Sequence, residues 1–404
     1  MPLKDRSPSS GSIDVQVKRP GLRIAAIVAL IAIALAAIGY GVMTLLQGDG
    51  SGWMEMTVDA AAKDTCGEDF RLMVDLDALT TAGRKEISLA YTQASQEAFA
   101  LFHPTRHFDS TVNLYDLSAH PGEALTVPPA LYRALELTVA ADPRWITLAP
   151  VYQVYQSLAL STVDREAEDF SPRRSPEAAA YVQEALTYCT DPAHISLELL
   201  GENQVCLHVS EAYAAFAREN DVPCYLDFYW MKNAFITDYL ADALAAKGLT
   251  RAVLTSKEGY GACLDTTDAV YSLNVFHPEL AGNSPVAVVG YTGPLRMVTF
   301  RSTPLVDLGY QDLYYLWEDG EIDSPYVSPA TGLDTCALSE LLSCSREKSC
   351  GELALTLAPF YVAETWSPAS VDALTRDGVW SVYWQDGAPR LNDPTAAELA
   401  LPEE

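Results

Sequence analysis

The sequence predicts an α+β fold in which mixed or antiparallel sheets pack against helices. Strand and helix patterns follow one another in no regular order along the 404 residues, and no repeat period appears. A doubly wound parallel sheet would instead require strands and helices to alternate regularly. We therefore predict one large domain over residues 59–398.

The periodicity of apolar residues locates the elements of this domain. Helices are predicted at Lys85–Phe102, Pro128–Ala140, Glu211–Glu219 and Glu352–Phe360. Strands are predicted at Arg71–Leu76, Pro285–Val298 and Leu305–Tyr314, and hairpins at 194–210 and 380–392. Residues 164–175 are predicted to be a charged insertion.

Residues 225–256 carry the most informative pattern. A strand at Tyr225–Trp230 leads into a helix, and a second strand follows at Arg251–Ser256. Turns between a strand and a helix often contain glycines, because bare backbone N–H groups can receive a phosphate there. This turn instead has the sequence Tyr-Trp-Met-Lys at 229–232. The aromatic side chains either fill the space as packed core or stack on a bound ring.

Residues 24–46 contain no charged side chain and are long enough to cross a hydrocarbon core of about 30 Å. We predict a transmembrane helix rather than a cleaved signal peptide, because the run is longer than the apolar part of most signal peptides. The basic residues at 1–23 place that tail in the cytoplasm and the remainder outside. A glycine-rich linker is predicted at 47–58.

The chain is strongly acidic, with 26 basic and 54 acidic residues and a formal net charge of −28. A surface of this charge argues against nucleic acid and anionic lipid as partners. The only lipid contact predicted is therefore the bilayer around residues 24–46.

All eight cysteines lie on the outer side of the predicted transmembrane helix, where disulfides persist. Eight cysteines allow 105 pairings, so the connectivity does not follow from the sequence. We expect disulfides, with Cys189–Cys206 and Cys224–Cys263 as the favoured pairs.

Taken in order, these segments resemble the ApbE family, the FAD:protein FMN transferases, over roughly residues 60–395. The resemblance implies an extracytoplasmic, membrane-anchored protein that binds FAD with Mg²⁺. It further implies transfer of FMN to a threonine or serine of an acceptor protein outside the membrane, with release of AMP. Every motif that carries the resemblance is altered in this chain.

The best match is the turn at 229–232, where the family has Asp-Leu-Gly-Gly-x-Ala-Lys-Gly. Asp227 keeps the first position, but Tyr229 and Trp230 stand where the family has its two glycines. The resemblance implies that Tyr229, Trp230 and Lys232 lie at the cofactor. A residue with a large side chain keeps backbone away from a nucleotide, which glycine does not.

A second match is Cys350–Thr356, where the family has Ala-Asp-Ala-Leu-Ala-Thr. The resemblance implies that Glu352 and Thr356 hold Mg²⁺, and their spacing of four residues puts both on one helix face. The alternative is that Glu352 is an acidic residue in the first helical turn, where the helix dipole favours it.

A third match is Pro325–Gly332, where the family has His-x-x-Asp-Pro-x-Thr-Gly. Thr331 and Gly332 are kept, and the resemblance implies that they lie at the pyrophosphate of FAD. The family's histidine is replaced by Pro325 and its aspartate by Ser328, so no catalytic residue is assigned.

Three functions are consistent with these observations. The first is a membrane-anchored FAD:protein FMN transferase of divergent type. The second is a catalytically inactive ApbE-like binding or scaffold module at the cell surface. The third is an anchored sensor that signals through residues 1–23. FMN transfer to an acceptor protein separates the first from the second.

Overall fold

The computed structural model of the chain describes residues 52–277, 285–304 and 313–400. The predicted cytoplasmic tail, the predicted transmembrane helix at 24–46 and most of the predicted strand at Leu305–Tyr314 lie outside these residues. Within the described ranges, no helix combines the length and apolar character needed to cross a membrane. From Trp53 onward the described residues form one compact unit.

The described residues contain strands and helices in irregular order, as predicted for an α+β fold. The strands are β1 (Trp53–Met56), β2 (Phe70–Asp75), β3 (Ala124–Thr126), β4 (Ile195–Gly201), β5 (Gln204–Val209), β6 (Ala252–Ser256), β7 (Tyr260–Cys263), β8 (Val270–Phe276), β9 (Pro285–Thr292), β10 (Leu295–Arg301), β11 (Tyr315–Leu316), β12 (Ile322–Asp323), β13 (Glu340–Ser345), β14 (Val379–Gln385), β15 (Ala388–Leu391) and β16 (Glu398–Ala400). The helices are α1 (Thr81–Leu101), α2 (Leu114–Ala119), α3 (Pro129–Ala141), α4 (Arg144–Thr147), α5 (Ala149–Leu160), α6 (Asp164–Ala167), α7 (Pro176–Cys189), α8 (Glu211–Glu219), α9 (Lys232–Ala246), α10 (Cys350–Tyr361) and α11 (Pro368–Asp372).

The sheets are antiparallel throughout. Eight strands form the central sheet in the order β1-β2-β6-β7-β10-β13-β14-β15. Three smaller sheets have the orders β16-β9-β8, β3-β5-β4 and β11-β12. Antiparallel sheets with separate helices are the arrangement that the irregular order of elements favours.

The central sheet is covered on both faces. Successive side chains of a strand point to opposite faces, so Val379 and Tyr383 of β14 pack in the larger, helix-covered core. Trp380, Val382 and Trp384 of the same strand pack in a second core, beneath the β16-β9-β8 sheet. Burial on both faces explains why β14 is a nearly continuous apolar run.

Most predicted elements are confirmed. The four predicted helices are α1, α3, α8 and α10, and the two predicted hairpins are β4–β5 and β14–β15. The turn of the second hairpin has Asp386 at φ 53° and Gly387 at φ 75°, which suits the two-residue turn that the sequence indicates.

Three predictions are corrected. Tyr225–Trp230 is not a strand, because Asp227 N–H donates to the Ile146 carbonyl at 2.9 Å and the chain then enters a 3₁₀ turn at Tyr229–Met231. An apolar run of this length does not distinguish a strand from other buried segments. Pro285–Val298 is two strands, β9 and β10, and the predicted linker at 47–58 includes β1, the edge strand of the central sheet.

The predicted disulfides are also wrong, because all eight cysteines are free thiols in the structure. Cys189 lies in the core at the end of α7, and burial raises the pKa of its thiol to about 12. Cys350 donates from its thiol to the Gly261 carbonyl at 3.1 Å. The cysteines therefore act as small apolar core residues, a frequent role of buried thiols.

Candidate functional site

The turn before α9 keeps a backbone conformation that glycine usually supplies. Tyr229 has φ 45°, in the left-handed region that costs a residue with a side chain roughly 1–2 kcal/mol. The Asp227 carboxylate stabilises this conformation by accepting a hydrogen bond from the Tyr229 N–H at 2.8 Å. The conformation is therefore retained although the glycine is absent.

The side chain of Trp230 fills the space beside this turn. Only 1% of Trp230 is exposed, and its ring centroid lies 5.9, 5.4 and 5.2 Å from those of Trp145, Phe300 and Tyr326. The Tyr260 hydroxyl donates to the Trp230 carbonyl at 2.7 Å. Edge-to-face ring packing of this kind stabilises a core. The turn is thus occupied by an aromatic cluster.

Two adjoining cavities lie next to this cluster. The larger cavity, of about 220 Å³, is bounded by β6, β7, β10 and the segment at 325–326. The smaller cavity, of about 150 Å³, is lined by Tyr229, Lys232 and Asn233 among others. Trp230 and Glu258 line both cavities. The structure therefore brings Tyr229, Trp230 and Lys232 together at one place, and it adds Glu258, which sequence reasoning missed.

Glu258 joins the two cavities through a hydrogen bond to α9. Its Oε2 accepts from Asn233 Nδ2 at 2.6 Å. Burial raises the pKa of Glu258, and the charge of Asp69 raises it further, whereas the Asn233 hydrogen bond and the charge of Lys232 lower it. Carboxyl groups with a raised pKa occur both in functional cavities and in structural networks, so the place of Glu258 in the lining of both cavities makes it a candidate.

Asp227 is a second carboxylate at the smaller cavity. It accepts from Gln156 Nε2 at 2.9 Å, and burial raises its pKa while the Tyr229 N–H and Lys232 lower it. The smaller cavity therefore has two carboxyl groups for one lysine.

Three residues that line this cavity each have a buried polar atom with no hydrogen-bond partner within the described part of the chain: Tyr229 OH, Trp230 Nε1 and Asn233 Oδ1. Buried polar atoms are nearly always paired, and exceptions often mark a site for water or a ligand. Two other residues of the same aromatic cluster, Trp145 and Tyr361, also have unpaired polar atoms.

Arg301 and Glu340, which both line the larger cavity, form a buried ion pair. Arg301 Nη1 donates to Glu340 Oε1 at 2.8 Å, and the two residues are 8% and 4% exposed. Trp384 Nε1 donates to Glu340 Oε2 at 3.1 Å. Burial raises the pKa of Glu340, and the Arg301 guanidinium opposes that shift. The two opposite charges therefore balance each other in the lining of the cavity.

Thr331 lies at a different cavity, which it shares with Arg144 and Trp145 among others, and Gly332 follows it in the chain. Thr331 Oγ1 accepts from the Leu333 N–H at 3.3 Å, within its own turn. Gly332 has φ 68°, and a Cβ there would come within 2.5 Å of a Val182 methyl carbon. Both residues therefore have roles in the turn and its packing.

Glu352 lies at a third cavity, and the polar groups of Glu352 and Thr356 are bound by α10, by its N-cap residue and by Arg133. Glu352 Oε2 accepts from the Ser349 N–H at 2.9 Å in a capping box, and Glu352 Oε1 accepts from Arg133 at 3.3 Å. Thr356 Oγ1 donates to the Glu352 carbonyl at 2.7 Å. Asp238, on α9, accepts from the first two N–H groups of α10. These contacts support the alternative that Glu352 is an acidic residue in the first turn of its helix.

The carboxyl groups of the domain give an expected pH dependence of stability. Burial raises the pKa of Asp227, Asp238, Glu258, Asp323 and Glu340. These groups titrate near about 4 when unfolded, so above that pH the folded chain holds more protons than the unfolded chain. The free energy of unfolding should therefore fall as the pH rises. Carboxyl groups with a lowered pKa lie mostly at the surface, where solvent weakens their effect.

Thermal denaturation followed by circular dichroism checks this pH dependence of stability. We expect a higher midpoint at pH 5 than at pH 8. A midpoint that climbs steadily to pH 8 would contradict it.

Comparison with known proteins identifies the class of fold. No family model matches the sequence, and no curated protein sequence matches it. Among solved structures the chain has the fold of the ApbE flavin transferases, as the resemblance implied.

The similar solved structures are those of bacterial proteins. The ApbE protein of Thermotoga maritima has a TM-score of 0.58 at 14% identity, and the flavin transferase ApbE of Vibrio cholerae has 0.55 at 11%. The flavinyl transferase ApbE of Pseudomonas stutzeri has a TM-score of 0.50 at 13% identity. Each comparison covers 84% of this chain and 96% of the other. At identities of 11–14%, the similarity shows the fold alone.

The residues present do not fit the FAD and Mg²⁺ that this resemblance implies. The two adjoining cavities hold about 220 and 150 Å³, close to the lower limit of the roughly 300–1,000 Å³ of sites for drug-sized ligands, and FAD is larger than such ligands. The Glu352 carboxylate is occupied by its helix cap and Arg133. Among the described residues no group of three His, Cys, Asp or Glu side chains is arranged to hold a metal ion.

Proposed function

We propose that this chain is an ApbE-fold binding module that does not transfer FMN, tethered by residues 24–46 to the outer face of a membrane. The burial of Trp230 carries the proposal. Its ring is 1% exposed and packs on three other rings where a dinucleotide would need bare backbone. A ligand smaller than FAD would occupy the two adjoining cavities.

The contacts of Glu352 support the same proposal. Phosphoryl transfer by a metal needs a carboxylate that is free to coordinate it in near-octahedral geometry. Glu352 instead binds the Ser349 N–H and Arg133, and the Thr356 hydroxyl binds the helix backbone. These contacts favour a structural role for both residues.

The second candidate is a divergent FAD:protein FMN transferase acting with Mg²⁺ on acceptor proteins outside the membrane. One observation favours it: Tyr229 keeps φ 45°, the conformation expected at a glycine of the family's turn. Strained backbone of this kind is often kept at functional sites. The fold shared with flavin transferases supports it at the level of the family.

One assay separates these candidates. The full chain, purified in detergent, is incubated with FAD, Mg²⁺ and an acceptor protein that a known flavin transferase modifies. We expect no flavin fluorescence on the acceptor band after denaturing electrophoresis, and no saturable quenching of FAD fluorescence by the chain. A known transferase run in parallel confirms that the acceptor is competent.

Glu352→Gln makes the matched variant, because glutamine preserves the capping box but removes the negative charge that a metal needs. We expect an unchanged thermal midpoint and no change in the flavin assays. Flavin on the acceptor with the unmodified chain, lost in Glu352→Gln, would overturn the binding-module proposal and establish the transferase.

A further inference from the structure

We propose that the two adjoining cavities bind a small aromatic amine, with its ring in the larger cavity and its amine beside Glu258 and Asn233. This inference rests on the proposed function and names the ligand class of the same site. The ligand class follows from the walls of the larger cavity, the unpaired atoms of the smaller one, and the charges around them.

The larger cavity is suited to a flat apolar ring. Its lining includes five aromatic side chains: Trp230, Tyr260, Phe276, Tyr314 and Tyr326. Aromatic rings pack favourably edge-to-face or offset, and their faces also attract cations. A ligand with an aromatic body and a positive charge would use both properties.

The smaller cavity is suited to a polar group that donates hydrogen bonds. Asn233 is 3% exposed, and its Oδ1 has no partner among the described residues. Tyr229 OH, at 7% exposure, is unpaired as well and can also accept. An amine could donate to Asn233 Oδ1 and to Glu258, whose Oε2 already accepts from Asn233 Nδ2. An unpaired buried acceptor is costly, so a donor placed there would bind favourably.

The charges select an amine over an acid. Asp227 and Glu258 face Lys232 at the smaller cavity, an excess of one carboxyl group. Burial raises the pKa of both carboxyl groups, which means that the surroundings do not fully stabilise their negative charges. An ammonium group placed between them would supply the missing positive charge. An anionic ligand would meet two carboxylates and be disfavoured. At the larger cavity Arg301 is already paired with Glu340, and Lys257 also has a partner.

The volumes set the size of the ligand. The cavities hold about 220 and 150 Å³, so together they pass the lower limit of roughly 300 Å³ for small-molecule sites. Trp230, Glu258 and Leu313 line both cavities, so the cavities are neighbours, and the proposed ligand extends from one into the other. A bicyclic ring with a short aminoalkyl chain has suitable dimensions.

Tryptamine and indole-3-propionate are matched probes, since both carry an indole ring and a short chain but differ in the charge at its end. Binding to the full chain in detergent is measured by isothermal titration calorimetry at pH 7. We expect tryptamine to bind at least tenfold more tightly than indole-3-propionate. Equal affinity, tighter binding of the acid, or no binding of tryptamine would overturn the inference.

Two substitutions with opposite expected effects test the site. Glu258→Gln keeps the shape of the side chain and should weaken tryptamine binding about tenfold or more, because a charged hydrogen bond is lost. Lys232→Gln removes a cation that competes with the amine, and it should strengthen tryptamine binding. Glu198→Gln, on β4 beside His208, is the matched control and should leave the affinity unchanged.

Thermal denaturation of each variant confirms that it folds. If Glu258→Gln does not fold, Lys232→Gln still decides, and unchanged or weaker binding in that variant contradicts the inference. FMN transfer by the unmodified chain would overturn the proposed function. If the chain neither transfers FMN nor prefers the amine, the inference about the ligand class is overturned and the proposed function stands.

Discussion

Replacing Arg301 by methionine should lower the free energy of unfolding by about 3–5 kcal/mol, because it leaves the buried Glu340 carboxylate without its cation. The two side chains meet at 2.8 Å and are 8% and 4% exposed, so solvent cannot replace the lost partner. Urea denaturation followed by tryptophan fluorescence gives the change. Arg301 also lines the larger cavity, so the same variant should weaken ligand binding.

Two further variants make this result specific. Arg71→Met removes the exposed ion pair with Glu55 and should cost less than about 1 kcal/mol. Arg301→Met combined with Glu340→Gln should recover much of the loss, because a neutral amide is less costly to bury and still accepts from Trp384. A single Arg301→Met variant as stable as Arg71→Met would show that the pair is not buried as described.

Replacing Trp230 by alanine should lower the free energy of unfolding by about 3–5 kcal/mol, the usual range for deleting a large buried ring. The ring contacts Trp145, Phe300 and Tyr326, and neighbours held in so many packing contacts cannot collapse to fill the space. Urea denaturation monitored by circular dichroism suits this variant, because the fluorescence of the remaining tryptophans would change.

Trp366→Ala is the matched control, since Trp366 is only partly buried and packs on the single ring of Tyr383. We expect it to cost clearly less than Trp230→Ala. Equal costs would mean that Trp230 is not the centre of the aromatic cluster, and the argument that its ring excludes a dinucleotide would lose its basis.

Local patterns predicted the elements well where periodicity and capping agree. Glu211–Glu219 is confirmed without change, because Ser210 caps a helix with a clear apolar stripe. Tyr225–Trp230 was misassigned because a run of six residues of which five are buried looks like a strand whatever its hydrogen bonds are. The free cysteines were missed because the predicted location of the domain, and no geometry, suggested disulfides.

The candidate site was predicted in part. Tyr229, Trp230 and Lys232 are consecutive or nearly so, and any fold must keep them together. Thr331 and Glu352 were associated with them only through the family resemblance, and the structure places these two at other cavities. Glu258 lies in the hairpin turn after β6, and it belongs to no sequence motif. Its contact with Asn233 became visible only in the structure, where β6 packs against α9.

The sequence by itself determined the fold class, most helices and hairpins, and the presence of large rings where a phosphate-binding turn would have glycines. These properties depend on residues close in the chain. The tertiary structure alone decided that the Trp230 ring lies inside a cluster, that Glu352 caps its helix, and that Glu258 faces two cavities. Each of these depends on which distant side chains meet, and burial, charge compensation and cavity volume exist only once the chain has folded.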